Sequence, residues 1–169
     1  MDNAAIQDSV QQPFLSYLNL NLGLCITYPA SWLKQEGPIA TGFAVVFNSP
    51  AENASDRFSE NVNIFAEPLP PSVTLDQYYQ DCVQGANAQS IKFLERGQAT
   101  ISGHPAYRHV YTGAAPPLLP MPATPSLQCL QYFIVSNGKG YVVTYTAEAQ
   151  KYSKFLPTVE QMLNTLQVK

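Results

Sequence analysis

The sequence predicts an α+β fold, a single-domain α/β/α sandwich with a central antiparallel β-sheet and a C-terminal helix packed on it. Three stretches carry that expectation. Residues 128–135 (QCLQYFIV) and 141–146 (YVVTYT) are β-rich runs. Asn137-Gly138 lies between them, and this dipeptide is a strong hairpin signal because both residues tolerate positive φ. Next, Tyr152, Phe155, Leu156, Val159, Met162, Leu163 and Leu166 recur at helical spacing and mark one apolar face. Upstream, Thr74 and Gln77 form a Thr-x-x-Gln capping box ahead of a second stripe, Leu75, Tyr78, Tyr79, Cys82, Val83 and Ala86.

In chain order, residues 1–12 are polar and Gln-rich and read as a flexible leader, with the domain occupying 13–169. Phe14, Leu18, Leu20, Leu22, Leu24, Ile26 and Tyr28 fall on even positions, the period-two pattern of one strand, or of two short ones broken near Gly23. Pro29 and Ser31 then turn the chain, and Trp32, the only tryptophan, is expected to pack as a lid on a sheet end. Residues 42–48 (GFAVVFN) read as a strand, 49–60 as a polar loop, and 61–67 as a strand with Val62 and Ile64 on one face. Pro68, Pro70 and Pro71 end it, because proline cannot donate to a ladder. Residues 91–101 and 104–112 read as a hairpin turned at Ser102-Gly103. Residues 113–125 hold prolines 116, 117, 120, 122 and 125 and are expected to form a connecting loop. Two Pro-x-x-Pro spacings there fit an SH3-type ligand, but no arginine flanks them. The last helix is expected over 154–166 after a short turn from Glu148, with Pro157 setting its first turn.

Composition narrows the functional classes. Charged residues are 12% of the 169, about half the usual share. Net charge is -3, so a polyanion is not an expected partner; nucleic-acid affinity comes from basic side chains neutralising phosphates. No apolar run is long enough to cross a bilayer as a helix. The N-terminus has no basic region and no apolar core, so it is not a signal peptide. The chain is expected to be either cytoplasmic or a trimmed form of an exported protein. Cys25, Cys82 and Cys129 are odd in number and are expected to be free, buried side chains.

No catalytic constellation emerges. His104 and His109 are separated by an odd number, so on one strand they face opposite ways and cannot share a metal. No serine sits in a Gly-x-Ser-x-Gly elbow, and no Cys-x-x-Cys spacing exists. Asp56, Glu60 and Asn61 offer oxygens that could hold a divalent cation. Neither an enzyme nor a cofactor is expected.

The order of motifs resembles the PsbP-like superfamily, which includes the photosystem II PsbP proteins, bacterial DcrB-type lipoproteins and the Ran-binding Mog protein. The resemblance rests on GLCITYPASW at 23–32, DRFSENVNI at 56–64 and EPLP at 67–70 leading into TLDQY at 74–78. ISGHPAYR at 101–108 and GYVVTYTA at 140–147 complete it. It implies an α/β/α sandwich and a non-enzymatic accessory protein that docks on a larger assembly, photosystem- or envelope-associated, in the periplasm or thylakoid lumen. The Lys-rich surface of plant PsbP has no counterpart here.

A protein partner is therefore expected, with the oligomeric state left open. The candidate partner surface is Asp56, Arg57 and Glu60 in the 49–60 loop and Leu118, Leu119 and Met121 in the Pro-rich stretch. Two alternatives stand beside it. One is a cytoplasmic regulatory protein-binding domain like Mog. The other is a small-molecule or metal carrier with a Tyr-lined pocket between helix and sheet.

Overall fold

Asn137 and Gly138 both have positive φ, 48° and 71°, and their turn sets the register of the larger sheet. It joins β-strands that pair from Ser136↔Lys139 out to Leu127↔Glu148. The computed structural model describes residues 13–39, 42–84, 91–114 and 126–169. The expected leader, and Leu118, Leu119 and Met121 of the expected partner surface, lie outside the described residues.

The elements in chain order are β1 (Phe14–Asn19), β2 (Leu24–Pro29), β3 (Leu33–Ile39), β4 (Gly42–Asn48), β5 (Asn61–Pro68) and α1 (Leu75–Gln84). Then follow β6 (Ile91–Ile101), β7 (His104–Ala114), β8 (Ser126–Ser136), β9 (Lys139–Glu148), α2 (Tyr152–Leu163) and β10 (Gln167–Val168). Seven strands form one antiparallel sheet in the order β3-β4-β5-β9-β8-β7-β6, and β1-β2-β10 form a second, smaller one. The fold is thus the expected α+β sandwich, with one addition. One face of the large sheet carries α1, and the other carries α2 together with the small sheet.

The pleat divides the residues between those faces. On β9, Tyr141, Val143, Tyr145 and Ala147 are buried in the main core with Val159, Met162 and Leu163 of α2 and Leu24 and Ile26 of β2. Each fully buried large side chain there contributes about 1.5–3 kcal/mol. Two tyrosines also spend their polar ends on the layers they cover. The Tyr145 hydroxyl donates to the Tyr152 carbonyl at 2.8 Å, and that of Tyr141 to the Leu22 carbonyl at 2.6 Å. Trp32 is buried and meets Phe155 edge-on at 6.4 Å, as a packing lid should. On the opposite face α1 starts with the expected capping box. Gln77 N–H donates to Thr74 Oγ1 at 3.2 Å, and Thr74 N–H to Gln77 Oε1 at 2.9 Å. Tyr78 of α1 lies flat over Gly140, where any Cβ would run into its ring.

Four expectations need correction. Of the two readings of 14–28 the structure has the two short strands, broken by a turn at 20–23 with Gly23 at φ 63°, but the even-position pattern fails within the first of them. Because Tyr17 pairs with Ile26 and Leu18 with Cys25, Tyr17 is buried and Leu18 points outward, inverting the even-position pattern within β1. A strand occupies 33–39, where none was expected. Its sequence LKQEGPI has little apolar alternation, and it is an edge strand, where Pro38 is tolerated. α2 spans Tyr152–Leu163, so Pro157 is interior rather than in the first turn. The proline leaves the Ser153 carbonyl without its helical donor, and Ser153 is exposed to water. Finally, Gly113 and Ala114 belong to β7 rather than to the loop.

Candidate functional site

The 49–60 loop carries Asp56, Arg57 and Glu60, which the sequence offers as a partner surface. Glu60 is in fact fully buried, and the Asp56 side chain keeps only 3% of its surface, while Arg57 is exposed. Both carboxylates turn inward onto Lys151, at the N-terminal boundary of α2. Lys151 Nζ lies 2.9 Å from Asp56 Oδ1, 3.0 Å from Glu52, 3.1 Å from Glu148 and 3.9 Å from Glu60 Oε1. Lys154 also pairs with Glu52. The hydrogen bond from Lys151 holds the Asp56 carboxyl below its usual range, and the same bond raises the Lys151 ammonium. Glu60 Oε1 has no hydrogen bond among the described residues, and Ser49 Oγ approaches Oε2 only to 3.5 Å.

The oxygens of Glu52, Asp56 and Glu60 lie within 4.8 Å of one another, so Asp56 and Glu60, two of the three oxygen donors that the sequence offers, do come together. Glu52, not Asn61, completes it; the Asn61 amide donates to the Ser59 carbonyl. The ammonium of Lys151 does here what a metal ion would do. It clamps the loop onto the start of α2. Sequence reasoning missed Glu52, Glu148 and Lys151, since the key contact, Lys151 to Asp56, joins residues 95 positions apart.

A different constellation lies on the α1 face of the large sheet. His109, Gln131, Thr144 and Asn63 are direct cross-strand neighbours on β7, β8, β9 and β5, so they form one polar row across four strands. Apolar side chains flank the row, including Phe133, Val142 and Phe65 on one side and Tyr111 on the other. Cys82 and Val83 of α1 stand over it, walling one side of a half-open cavity of about 390 Å³. Gln131 Nε2 donates to Thr144 Oγ1 at 3.0 Å. His109 keeps 2% of its surface and sits 2.7 Å through Nε2 from the Tyr79 hydroxyl, which accepts from Arg96 Nη2 at 3.0 Å. Burial, reinforced by the Arg96 charge, holds His109 down to a pKa of about 4. Burial also pushes the Cys82 thiol up. The histidine pair divides as its spacing predicts: His109 is buried and hydrogen-bonded, while His104 is partly exposed.

The third feature is apolar and on the outside. Leu15 and Leu18 on β1, Leu20 in the following turn, and Leu33 and Ile39 on β3 are five of the six exposed large hydrophobics among the described residues. β1 and β3 are edge strands of different sheets. The Tyr17 hydroxyl donates to Glu36 Oε2 at 2.6 Å, tying the two edges together on one side of the sandwich.

No protein-family model matches the chain, and no curated protein matches it in sequence. Solved structures do match in shape. Cyanobacterial PsbP (CyanoP) of Synechocystis sp. PCC 6803 superimposes with a TM-score of 0.65 at 15% identity, over 92% of this chain and 92% of its own. PA94 of Pseudomonas aeruginosa, a protein of unknown function, gives 0.61 at 17% identity, over 92% and 97%. The Ran-binding protein Mog1p of Saccharomyces cerevisiae gives 0.57 at 10% identity, over 93% and 96%. The chain therefore has the fold that CyanoP and Mog1p share, nearly end to end in each.

Proposed function

We propose that this chain is a non-catalytic interaction domain that docks on a protein partner through the open edge made by β1 and β3. The observation that carries the reading is that two edge strands, joined by the Tyr17–Glu36 hydrogen bond, each carry large apolar side chains left exposed, Leu15 and Leu18 on β1 and Leu33 and Ile39 on β3. An edge strand offers unpaired backbone groups, and apolar side chains on it add area that a partner can bury. That Mog1p, which shares the fold, is a Ran-binding protein supports a role in protein recognition. The contact surface on this reading is Leu15, Leu18, Leu33 and Ile39, not the 49–60 loop, whose carboxylates serve an internal clamp.

Photo-crosslinking tests it. A photoreactive residue is placed at Leu18, at Leu33 and, as control, at Gln80 on the exposed side of α1, and each protein is activated in an extract of its own source cells. The expected result is one discrete adduct from the two edge positions, suppressed by excess unlabelled protein and absent from the Gln80 control. No adduct, or equal labelling from Gln80, would count against the reading.

A further inference from the structure

The cavity under α1 holds a donor that the protein does not use. Arginine can only donate, so the Tyr79 oxygen accepts from Arg96 Nη2. The one Tyr79 proton then needs an acceptor, and His109 Nε2 at 2.7 Å is the one within reach among the described residues. A neutral imidazole that accepts at Nε2 carries its proton on Nδ1. His109 lines the cavity, and its Nδ1 has no hydrogen-bond partner among the described residues. An occupant with an acceptor would pair with this donor, a hydrogen bond worth about 0.5–1.5 kcal/mol net.

The remaining lining sets the occupant's character. Phe65, Phe93, Tyr111 and Phe133 supply aromatic walls, and among the described residues no Asp, Glu, Lys or Arg lines the cavity. A volume of about 390 Å³ suits a small organic molecule. A cation would enter beside the Arg96 guanidinium, and any charged group would leave water for aromatic walls at a desolvation cost. We propose that this cavity binds an uncharged, aromatic-bodied small molecule whose carbonyl-type oxygen accepts from Nδ1–H of His109. The proposal is independent of the docking edge, which lies on other strands.

Two probes test it. One is the uncharged naphthyl ketone 6-propionyl-2-dimethylaminonaphthalene. The other is its 6-propyl analogue, which lacks the oxygen. Equilibrium dialysis against the whole protein should show saturable one-to-one binding of the ketone, abolished by Val83→Trp, which fills the cavity. His109→Gln keeps an acceptor for Tyr79 but offers no donor at the Nδ1 position. It should weaken the ketone about tenfold and leave the propyl analogue unchanged. His109→Asn, whose amide N–H falls near the Nδ1 position, should restore the ketone. Absence of saturable binding, indifference to Val83→Trp, or equal loss of both probes in His109→Gln would overturn the proposal. If His109→Gln fails to fold, the infrared carbonyl band of the ketone bound to the unaltered protein decides. A band shifted to lower frequency than in hexane supports the bond to His109, and an unshifted band overturns it.

Discussion

At Lys151 one ammonium answers four carboxylates, of which Glu60 is fully buried. Removing the cation leaves Glu60 in the core without compensation. A fully buried pair broken this way costs roughly 3–5 kcal/mol. Lys151 keeps 22% of its side chain exposed, so Lys151→Met is expected to cost less, about 1–3 kcal/mol. Adding Glu60→Gln should recover part of the loss. Urea midpoints of the three proteins check this, and an unchanged midpoint for Lys151→Met would refute it. His109 gives a second test, through pH. Its folded pKa of about 4 lies below the ordinary 6.5, so between those values the unfolded chain binds the extra proton. Stability therefore falls as pH drops through that window, by about 2 kcal/mol between pH 7 and pH 5. His109→Gln should lose this component, and equal acid sensitivity in the two proteins would contradict the assignment. Neither residue's role was legible in sequence. Asp56 and Glu60 sit in a polar loop that looks solvated, and their partner arrives from 95 positions away. His109 alternates correctly with its strand, but the pattern does not say what covers that face.

Elements were legible where their signal is local. Asn137-Gly138 places a turn because its backbone demands residues that accept positive φ, and the strands on either side follow from it. The capping box at Thr74 works the same way. β3 was not legible because an edge strand needs little apolar patterning, and LKQEGPI has little. The register of β1 was not legible either, since a turn of different length moves its side chains to the other face. The interior Pro157 of α2 yields a prediction at this scale. Pro157 is exposed, so Pro157→Ala loses no packing and restores a donor to the Ser153 carbonyl. Proline in a helix interior costs about 3 kcal/mol, partly offset by the stiffness it gives the unfolded chain. The variant should therefore gain about 1–2 kcal/mol in thermal or urea unfolding. A loss of stability would mean that Pro157 shapes the helix in a way its exposure does not reveal.

At the scale of the molecule, the two-faced sheet was legible and the second sheet was not. β2 pairs with β10, and Thr27 N–H donates to Thr165 Oγ1 across 138 positions, a relation no local pattern encodes. Val168 is buried on Leu24, and Lys169 N–H donates to the Gly23 carbonyl at 2.9 Å. Deleting residues 167–169 removes the Val168 side chain, about 1.5–3 kcal/mol by itself, and opens the free edge of β2. A lower unfolding midpoint, with faster hydrogen exchange at Cys25 and Thr27, is the expected result. Unaltered exchange there would show that the small sheet holds without its third strand.

The same pairing has a consequence for how the molecule is made. A ribosome releases β10 roughly 140 residues after β2, so Leu24 and Ile26 wait for the strand that finishes their layer. At about 5–20 residues per second that wait lasts on the order of ten seconds or more. The large sheet, whose neighbours are mostly consecutive, can assemble meanwhile, and the small sheet is the natural last step. For this chain the late strand works as a latch, and the nascent protein has a sticky edge until it closes.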